Sequence, residues 1–430
     1  MDLAVKPAKF LRGEVEVPGD KSISHRALMI GAIAEGETIV ENFLEGEDCL
    51  ATLACLRALG VGIEKIAPKR IRISGKGLNG LTEPAEVLDA KNSGTTMRLL
   101  LGILAGQPFF SVITGDDSLR GRPMGRVSKP LREMGALVMG RKGGEYAPLA
   151  IQGGKLRPIR YNSPVASAQV KSSVLFAGLY APGETSVTEP ALSRDHTERM
   201  LESFGANVTR EGLTVIVKGQ PVLKGGQVNV PGDISSAAFL FVAACLVPDA
   251  SVTVKNVGLN PTRTGILDVL KEMGAAIEVR EKGTSCGEPF GDVRICASEL
   301  RGVEICGELI PRLIDEIPVI AVAASCAKGR TVVRDAAELK YKESNRLKVM
   351  SEQLTKLGAK VVELPDGFTI EGGRPLHGGV VQSYGDHRVA MALAVAGLVA
   401  RGETVVKQAG ATNVSFPGFV ETLAILSGRE

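Results

Sequence analysis

The chain contains no tryptophan, and aromatic residues make up only 4% of its 430 positions. A base-stacking surface or an aromatic sugar platform needs more rings than that. Net charge is almost absent too, because 51 Lys and Arg face 48 Asp and Glu and leave only +3. A nucleic-acid partner is therefore not expected, and any strongly cationic site must be local. Histidine occurs four times, and the seven cysteines (49, 55, 245, 286, 296, 306 and 326) form no C-x-x-C pair. No metal site is implied, and the thiols read as packing residues of a reducing compartment. No apolar run reaches transmembrane length, and Met1 to Leu11 lacks the apolar stretch of a signal peptide. A cytoplasmic protein without a membrane partner is expected. What remains is an ordinary globular composition, 44% hydrophobic and 23% charged, long enough for two or three domains.

The chain repeats itself. One unit begins at Val15 with a strand, a polar turn and a helix over Ser22–Ala34. It continues through Gly36-Glu37-Thr38-Ile39-Val40, a helix ending at Leu59-Gly60-Val61, and strands near Val61–Ile66 and Arg70–Ser74. The same order recurs with helix starts near 93, 167, 235, 315 and 386. Second helices end at Met134-Gly135, Phe204-Gly205, Met273-Gly274 and Leu357-Gly358, where glycine suits a left-handed C′ position. A spacing of about 70 residues is too long for a solenoid, whose repeats run to roughly 50. Each unit reads as βαβαββ, which predicts α/β packing. Val228-Asn229-Val230-Pro231-Gly232-Asp233 nearly repeats Val15 to Asp20, so six units divide into two bodies of three. The expected domains are 20–229 and 1–19 with 230–430, with a ligand cleft between them.

Cations stand beside hydroxyls or amides at the first turn of nearly every unit. Pro18-Gly19-Asp20-Lys21-Ser22-Ile23-Ser24-His25-Arg26 crowds them onto a helix start, where free N–H groups already favour an anion. Others follow in Asn92-Ser93-Gly94-Thr95-Thr96-Met97-Arg98, Arg120-Gly121-Arg122-Pro123-Met124 and Ser167-Ala168-Gln169-Val170-Lys171-Ser172. Ser193-Arg194-Asp195-His196-Thr197-Glu198, Lys342-Glu343-Ser344-Asn345-Arg346-Leu347 and Asp386-His387-Arg388 complete the set. Gly75-Lys76-Gly77-Leu78-Asn79-Gly80 matches G-x-G-x-x-G, but Thr82-Glu83-Pro84 follows where a helix should start. It reads as a turn after the Arg70–Ser74 strand, and no nicotinamide or flavin cofactor is expected.

These motifs, in this order and over essentially the whole chain, resemble the 5-enolpyruvylshikimate-3-phosphate synthase family, the 3-phosphoshikimate 1-carboxyvinyltransferases. The resemblance implies two domains of three βαβαββ units, each an inside-out α/β barrel, with the first strand belonging to the second domain. It implies transfer of the enolpyruvyl group of phosphoenolpyruvate to the 5-hydroxyl of shikimate 3-phosphate, by addition and elimination and without a cofactor or metal. Carried over, Lys21, Gly94, Arg122, Gln169, Arg346 and Arg388 would hold phosphoenolpyruvate. Lys21, Ser22, Arg26, Ser167, Gln169, Arg194, Asp315 and Lys342 would hold shikimate 3-phosphate. Asp315 is implied as the base and Glu343 as the proton donor, with Lys21 assisting. A monomer is the family expectation. Two polyanionic substrates explain why so many cations are needed.

Two positions depart from many relatives: Val414 stands where they have a lysine, and Leu99 where they have a proline. Gly94 leaves room for glyphosate, so sensitivity is expected. UDP-N-acetylglucosamine enolpyruvyl transferases share the fold but usually carry a cysteine ahead of the Arg-Pro pair. Gly115-Asp116-Asp117-Ser118-Leu119-Arg120-Gly121-Arg122-Pro123 has none. A non-catalytic phosphometabolite-binding regulator is the other alternative, against which Asp315 and Glu343 both stand.

Overall fold

The computed structural model describes residues 1–429. They divide into two compact units. The N-terminal body comprises Gly19–Val230 with the short excursion Thr284–Glu288, and the C-terminal body comprises Met1–Pro18, Pro231–Gly283 and the described residues from Pro289 onward. The excursion is not anticipated by the repeats.

The N-terminal body is organised around three helices, Lys21–Ile33, Gly94–Ala105 and Ala168–Gly178. Beyond their opening turns they are buried on every side, so their apolar residues are not confined to one stripe, although Arg26 and Lys171 are buried with them. Burying each Leu, Ile or Phe along them contributes about 1.5–3 kcal/mol. Three four-stranded sheets cover them. Each sheet reads alike: an opening strand runs parallel to a second, and an antiparallel pair follows. In the middle unit Leu88–Asp89 lies parallel to Phe110–Thr114, which pairs antiparallel with Tyr146–Gln152, and Leu137–Gly140 forms the edge. Alternate residues of Phe110–Thr114 are buried, as a strand with one wet face requires. The C-terminal body repeats the plan around Ile234–Leu246, Ile317–Cys326 and His387–Val399. The glycines after the second helices, Gly60, Gly135, Gly205, Gly274 and Gly358, have φ between +86° and +109°.

Read unit by unit, the repeats give two sheets the wrong opening strand, because these strands are exchanged; the expected domain bounds are unaffected. Arg12–Glu16 pairs with Ser251–Gly258 in the C-terminal body, not with the first unit's own strands. Gln227–Asn229 pairs with Glu37–Glu41 and completes the first unit's sheet. Both strands precede the same Pro-Gly-Asp turn, so they are interchangeable in local sequence. The sixth unit lacks its closing strand pair. Leu3–Val5 pairs antiparallel with Thr404–Lys407 there, giving a sheet of three strands.

Gly75 to Gly80 is a turn, as the sequence predicts. A Cβ on Gly75 would come within 2.2 Å of the Ala34 carbonyl oxygen, and one on Gly80 within 2.0 Å of that of Lys76. Close backbone approach, not a ligand, accounts for both glycines.

Candidate active site

In the N-terminal body the cations gather where the three central helices begin. Asp20 caps Lys21–Ile33 by accepting the Ile23 N–H at 2.9 Å. That places Lys21 at the first turn, with Nζ 2.9 Å from Asp48 Oδ2 on the neighbouring Glu47–Ala58 helix. Thr96 Oγ1 lies 3.3 Å from the Asp48 carbonyl and 2.7 Å from Ser93 Oγ, and Ser93 Oγ caps Gly94–Ala105 by accepting the Thr96 N–H. Gly94 is the first residue of that helix. A Cβ built there would stand 3.4 Å from Arg98 Nη1 and 3.5 Å from Arg122 Nη1, so its Cα faces two guanidinium groups. Arg122 is held by the Asn92 side chain at 2.6 Å, the Asn92 carbonyl and Ser118. Arg98 donates to Gln169 Oε1, and Gln169 Nε2 donates to Thr95 Oγ1 at 3.0 Å, tying the second helix to the third. The bonded partners of Arg122 are neutral, so its positive charge stays available to an anion.

Arg26 lies one turn deeper and is only 3% exposed. It donates to Thr197 Oγ1 at 2.6 Å, to the Ser22 carbonyl at 2.9 Å and to Ser172 Oγ at 2.9 Å. Burial draws its pKa down to about 10, still cationic at neutral pH. Ser167 is the cap residue of Ala168–Gly178, yet its side chain makes no capping bond; its N–H is taken by Glu189 at 2.9 Å. Arg194 follows Ser193, which donates to the same Glu189. His25, inside the most crowded motif, points the other way. It meets Thr52 at 2.7 Å, and burial lowers its pKa to about 3, so it is a neutral core residue.

The C-terminal body holds a second cluster. Asp315 precedes the Ile317–Cys326 helix, and its Oδ1 lies 3.1 Å from both Lys342 Nζ and Arg346 Nη1. Arg346, 2% exposed, also meets Glu343 at 2.7 Å and Asp386 at 2.9 Å. Burial opposes its charge, but Asp386, Glu343 and Asp315 together raise its pKa far above the usual range. Asp386 also accepts from Ser344 and caps His387–Val399 through the Arg388 N–H at 2.9 Å. Arg388 is 4% exposed with its guanidinium 5.9 Å from the Phe239 ring centroid, and its Nη1 is buried without a hydrogen-bond partner. A buried, unanswered guanidinium N–H fits an anionic ligand. The sequence-predicted residues Lys21, Ser22, Arg26, Gly94, Arg122, Ser167, Gln169 and Arg194 thus share one body. Asp315, Lys342, Glu343, Arg346 and Arg388 share the other.

The sequence pattern of the family described as EPSP synthase (3-phosphoshikimate 1-carboxyvinyltransferase) matches residues 5–423. The chain belongs to the EPSP synthase family. A 3-phosphoshikimate 1-carboxyvinyltransferase from Desulforamulus reducens is 62% identical over 423 residues, 98% of this chain and 99% of that one. The solved EPSP synthase of Acinetobacter baumannii superposes with a TM-score of 0.88 at 46% identity, covering 99% and 98% of the two chains. The enolpyruvyl transferase NikO from Streptomyces tendae has a TM-score of 0.78 at 18% identity over 98% and 96%, a likeness of fold.

Against the EPSP synthase pattern, Leu99 is fully buried in the core of its body, where the helix keeps the backbone N–H that a proline would lack. Val414 ends the short helix Ala409–Val414 and brings no charge there. Three carboxylates went unassigned at the level of sequence: Asp48 on Lys21, Glu189 behind Ser167, and Asp386 on Arg346. Asp48 and Glu189 lie 27 and 22 residues from those partners, so no local pattern announces the pairing.

Proposed function

We propose that this chain transfers the enolpyruvyl group of phosphoenolpyruvate to the 5-hydroxyl of shikimate 3-phosphate and releases phosphate. The observation that carries the reading is Gly94, whose Cα faces Arg98 and Arg122 at a helix start and leaves a cationic seat for a phosphate or carboxylate. Family membership over residues 5–423 supports the same reaction. Lys21, Gly94, Arg122, Gln169, Arg346 and Arg388 hold phosphoenolpyruvate. Lys21, Ser22, Arg26, Ser167, Gln169, Arg194, Asp315 and Lys342 hold shikimate 3-phosphate.

The 5-hydroxyl oxygen attacks C2 of phosphoenolpyruvate as its proton passes to Asp315. Glu343 gives a proton to C3, so the methylene becomes a methyl and C2 becomes tetrahedral. In the second half C3 returns its proton to Glu343, the bond from C2 to the phosphate oxygen breaks, and phosphate leaves carrying the proton that Asp315 had taken, which restores both carboxyls. Lys21 and the helix start beside it neutralise that leaving group. The seven cysteines are free thiols, which supports a reducing compartment.

Phosphate release measured with phosphoenolpyruvate and each acceptor tests the assignment. Release is expected with shikimate 3-phosphate. Release only with UDP-N-acetylglucosamine, or with neither, would overturn it.

A further inference from the structure

Lys171 belongs to no substrate contact above, yet it is among the largest side chains completely sealed from solvent. An ammonium group is costly to bury, so what it holds matters. Its Nζ lies 2.8 Å from Glu189 Oε2 and 2.8 Å from Glu198 Oε1, and donates to the Ser193 carbonyl at 3.4 Å. Burial pulls its pKa down, but Glu198 and Glu189 outweigh that and raise it, so it is a permanent cation.

Each partner leads to one group. Glu189 Oε1 accepts the Ser167 N–H at 2.9 Å, and its Oε2 accepts Ser193 Oγ at 2.8 Å, one residue before Arg194. Glu198 follows Thr197, which takes Arg26 Nε at 2.6 Å. Ser172, next to Lys171, takes Arg26 Nη2 and lies 2.6 Å from Thr197 Oγ1. Ser167, Arg194 and Arg26 are therefore anchored around a single buried cation. Arg98 and Arg122 are anchored elsewhere, on Asn92, Ser118, Pro123 and Gln169.

We propose that Lys171 is a positioning residue for the shikimate 3-phosphate side alone, fixing Ser167, the Ser193–Arg194 turn and Arg26 through Glu189 and Glu198. This rests on the assignment of those three residues to shikimate 3-phosphate. Removing the lysine alone would strand two buried carboxylates, so the test pairs Lys171→Met with Glu198→Gln and runs Lys171→Arg beside it. The double variant is expected to raise KM for shikimate 3-phosphate at least tenfold, with KM for phosphoenolpyruvate within twofold of the parent. Lys171→Arg, which keeps the charge, should recover most of the loss. Equal movement of both KM values, or movement of neither, overturns the proposal. If the double variant does not unfold cooperatively, Glu189→Gln decides: a threefold or larger rise in KM confined to shikimate 3-phosphate supports the proposal, and any other result overturns it. Arg26→Ala is measured in parallel. If that variant also moves the two KM values alike, the substrate assignment and the proposal fall together; if Arg26→Ala is selective and Lys171 is not, the proposal alone fails.

Discussion

The two bodies carry their charges in opposite ways. Among the candidate site cations of the N-terminal body, Arg122 and Arg26 are steered by amides, hydroxyls and carbonyls, while Lys21, like the sealed Lys171 behind them, has a carboxylate at its head. In the C-terminal body Lys342 and Arg346 are bracketed by Asp315, Glu343 and Asp386. Neutral partners orient a cation without spending its charge, whereas carboxylates neutralise it and lock it in place. The first arrangement suits reception of polyanions. The second suits chemistry that needs carboxylates held at defined positions beside a substrate. A repeated architecture has thus been filled with two different electrostatic designs.

The sharpest test of that division compares Asp315→Asn with Arg122→Met. Loss of a general base costs about 10²- to 10⁴-fold in rate, so Asp315→Asn should depress kcat by that much, far more than it moves either KM. Arg122→Met should instead raise KM for phosphoenolpyruvate. Steady-state kinetics over both substrates reads the split, and near-normal turnover in Asp315→Asn would remove it from the mechanism.

Stability should divide the same way. Arg346→Met leaves three carboxylates around an apolar side chain, and breaking a buried pair of this kind costs about 3–5 kcal/mol. Arg122→Met strands no charge and should cost far less. Urea unfolding of the two variants gives the comparison directly; equal losses would mean that the carboxylates are not what holds the second cluster together.

The difference between the clusters was only half legible in the sequence. Helix starts read near 22, 93, 167, 235, 315 and 386 lie within two residues of the observed caps Asp20, Ser93, Ser167, Asp233, Glu316 and Asp386. Caps and apolar runs are local, so they show in a single sequence. The unit-by-unit repeats assign Arg12–Glu16 and Gln227–Asn229 to the units they precede, because both strands lead into the same turn and differ only in remote partners; the exchange is implied only by the expected crossing near Gly19. The cations and several of the groups that orient them stood in quoted motifs, but which meets which did not show. Thr197 sits 171 residues from Arg26 and Asp386 sits 40 from Arg346. Which cation is neutralised and which left available is a property of the folded chain.

Within the receptive body the two substrates should be separable. Arg26→Ala removes a buried charged donor, and a charge-assisted hydrogen bond is worth about 1.5–3 kcal/mol. KM for shikimate 3-phosphate should rise roughly 10- to 100-fold, with a smaller change for phosphoenolpyruvate. Gly94→Ala should do the reverse. Its methyl group meets the protein at ordinary contact distance, so the fold tolerates it, but it projects toward the seat between Arg98 and Arg122. Crowding of about 1–3 kcal/mol would fall on phosphoenolpyruvate and on glyphosate, to which the parent enzyme is expected to be sensitive. Unchanged KM for phosphoenolpyruvate in Gly94→Ala would mean the seat lies elsewhere.

The smallest effect concerns what holds the helix starts in place. Neutral hydrogen bonds do so in the N-terminal body, where His25, Thr52, Thr96 and Ser93 form one buried chain. Burial lowers the His25 pKa from 6.5 to about 3. Above pH 6.5 the ring is neutral both folded and unfolded and has no effect on stability through titration. As pH falls below 6.5 the unfolded chain gains a proton that the folded one refuses, so stability declines until pH approaches 3. At pH 5.5 the loss is about 1.4 kcal/mol from this group. Urea unfolding at pH 7.0 and 5.5 should therefore show the parent losing about 1.4 kcal/mol more than His25→Asn, whose amide replaces the bond to Thr52 without taking up a proton. An identical pH dependence in the two proteins would show that the folded state admits the proton after all, and that the neutral scaffold of the receptive body is softer than its burial implies.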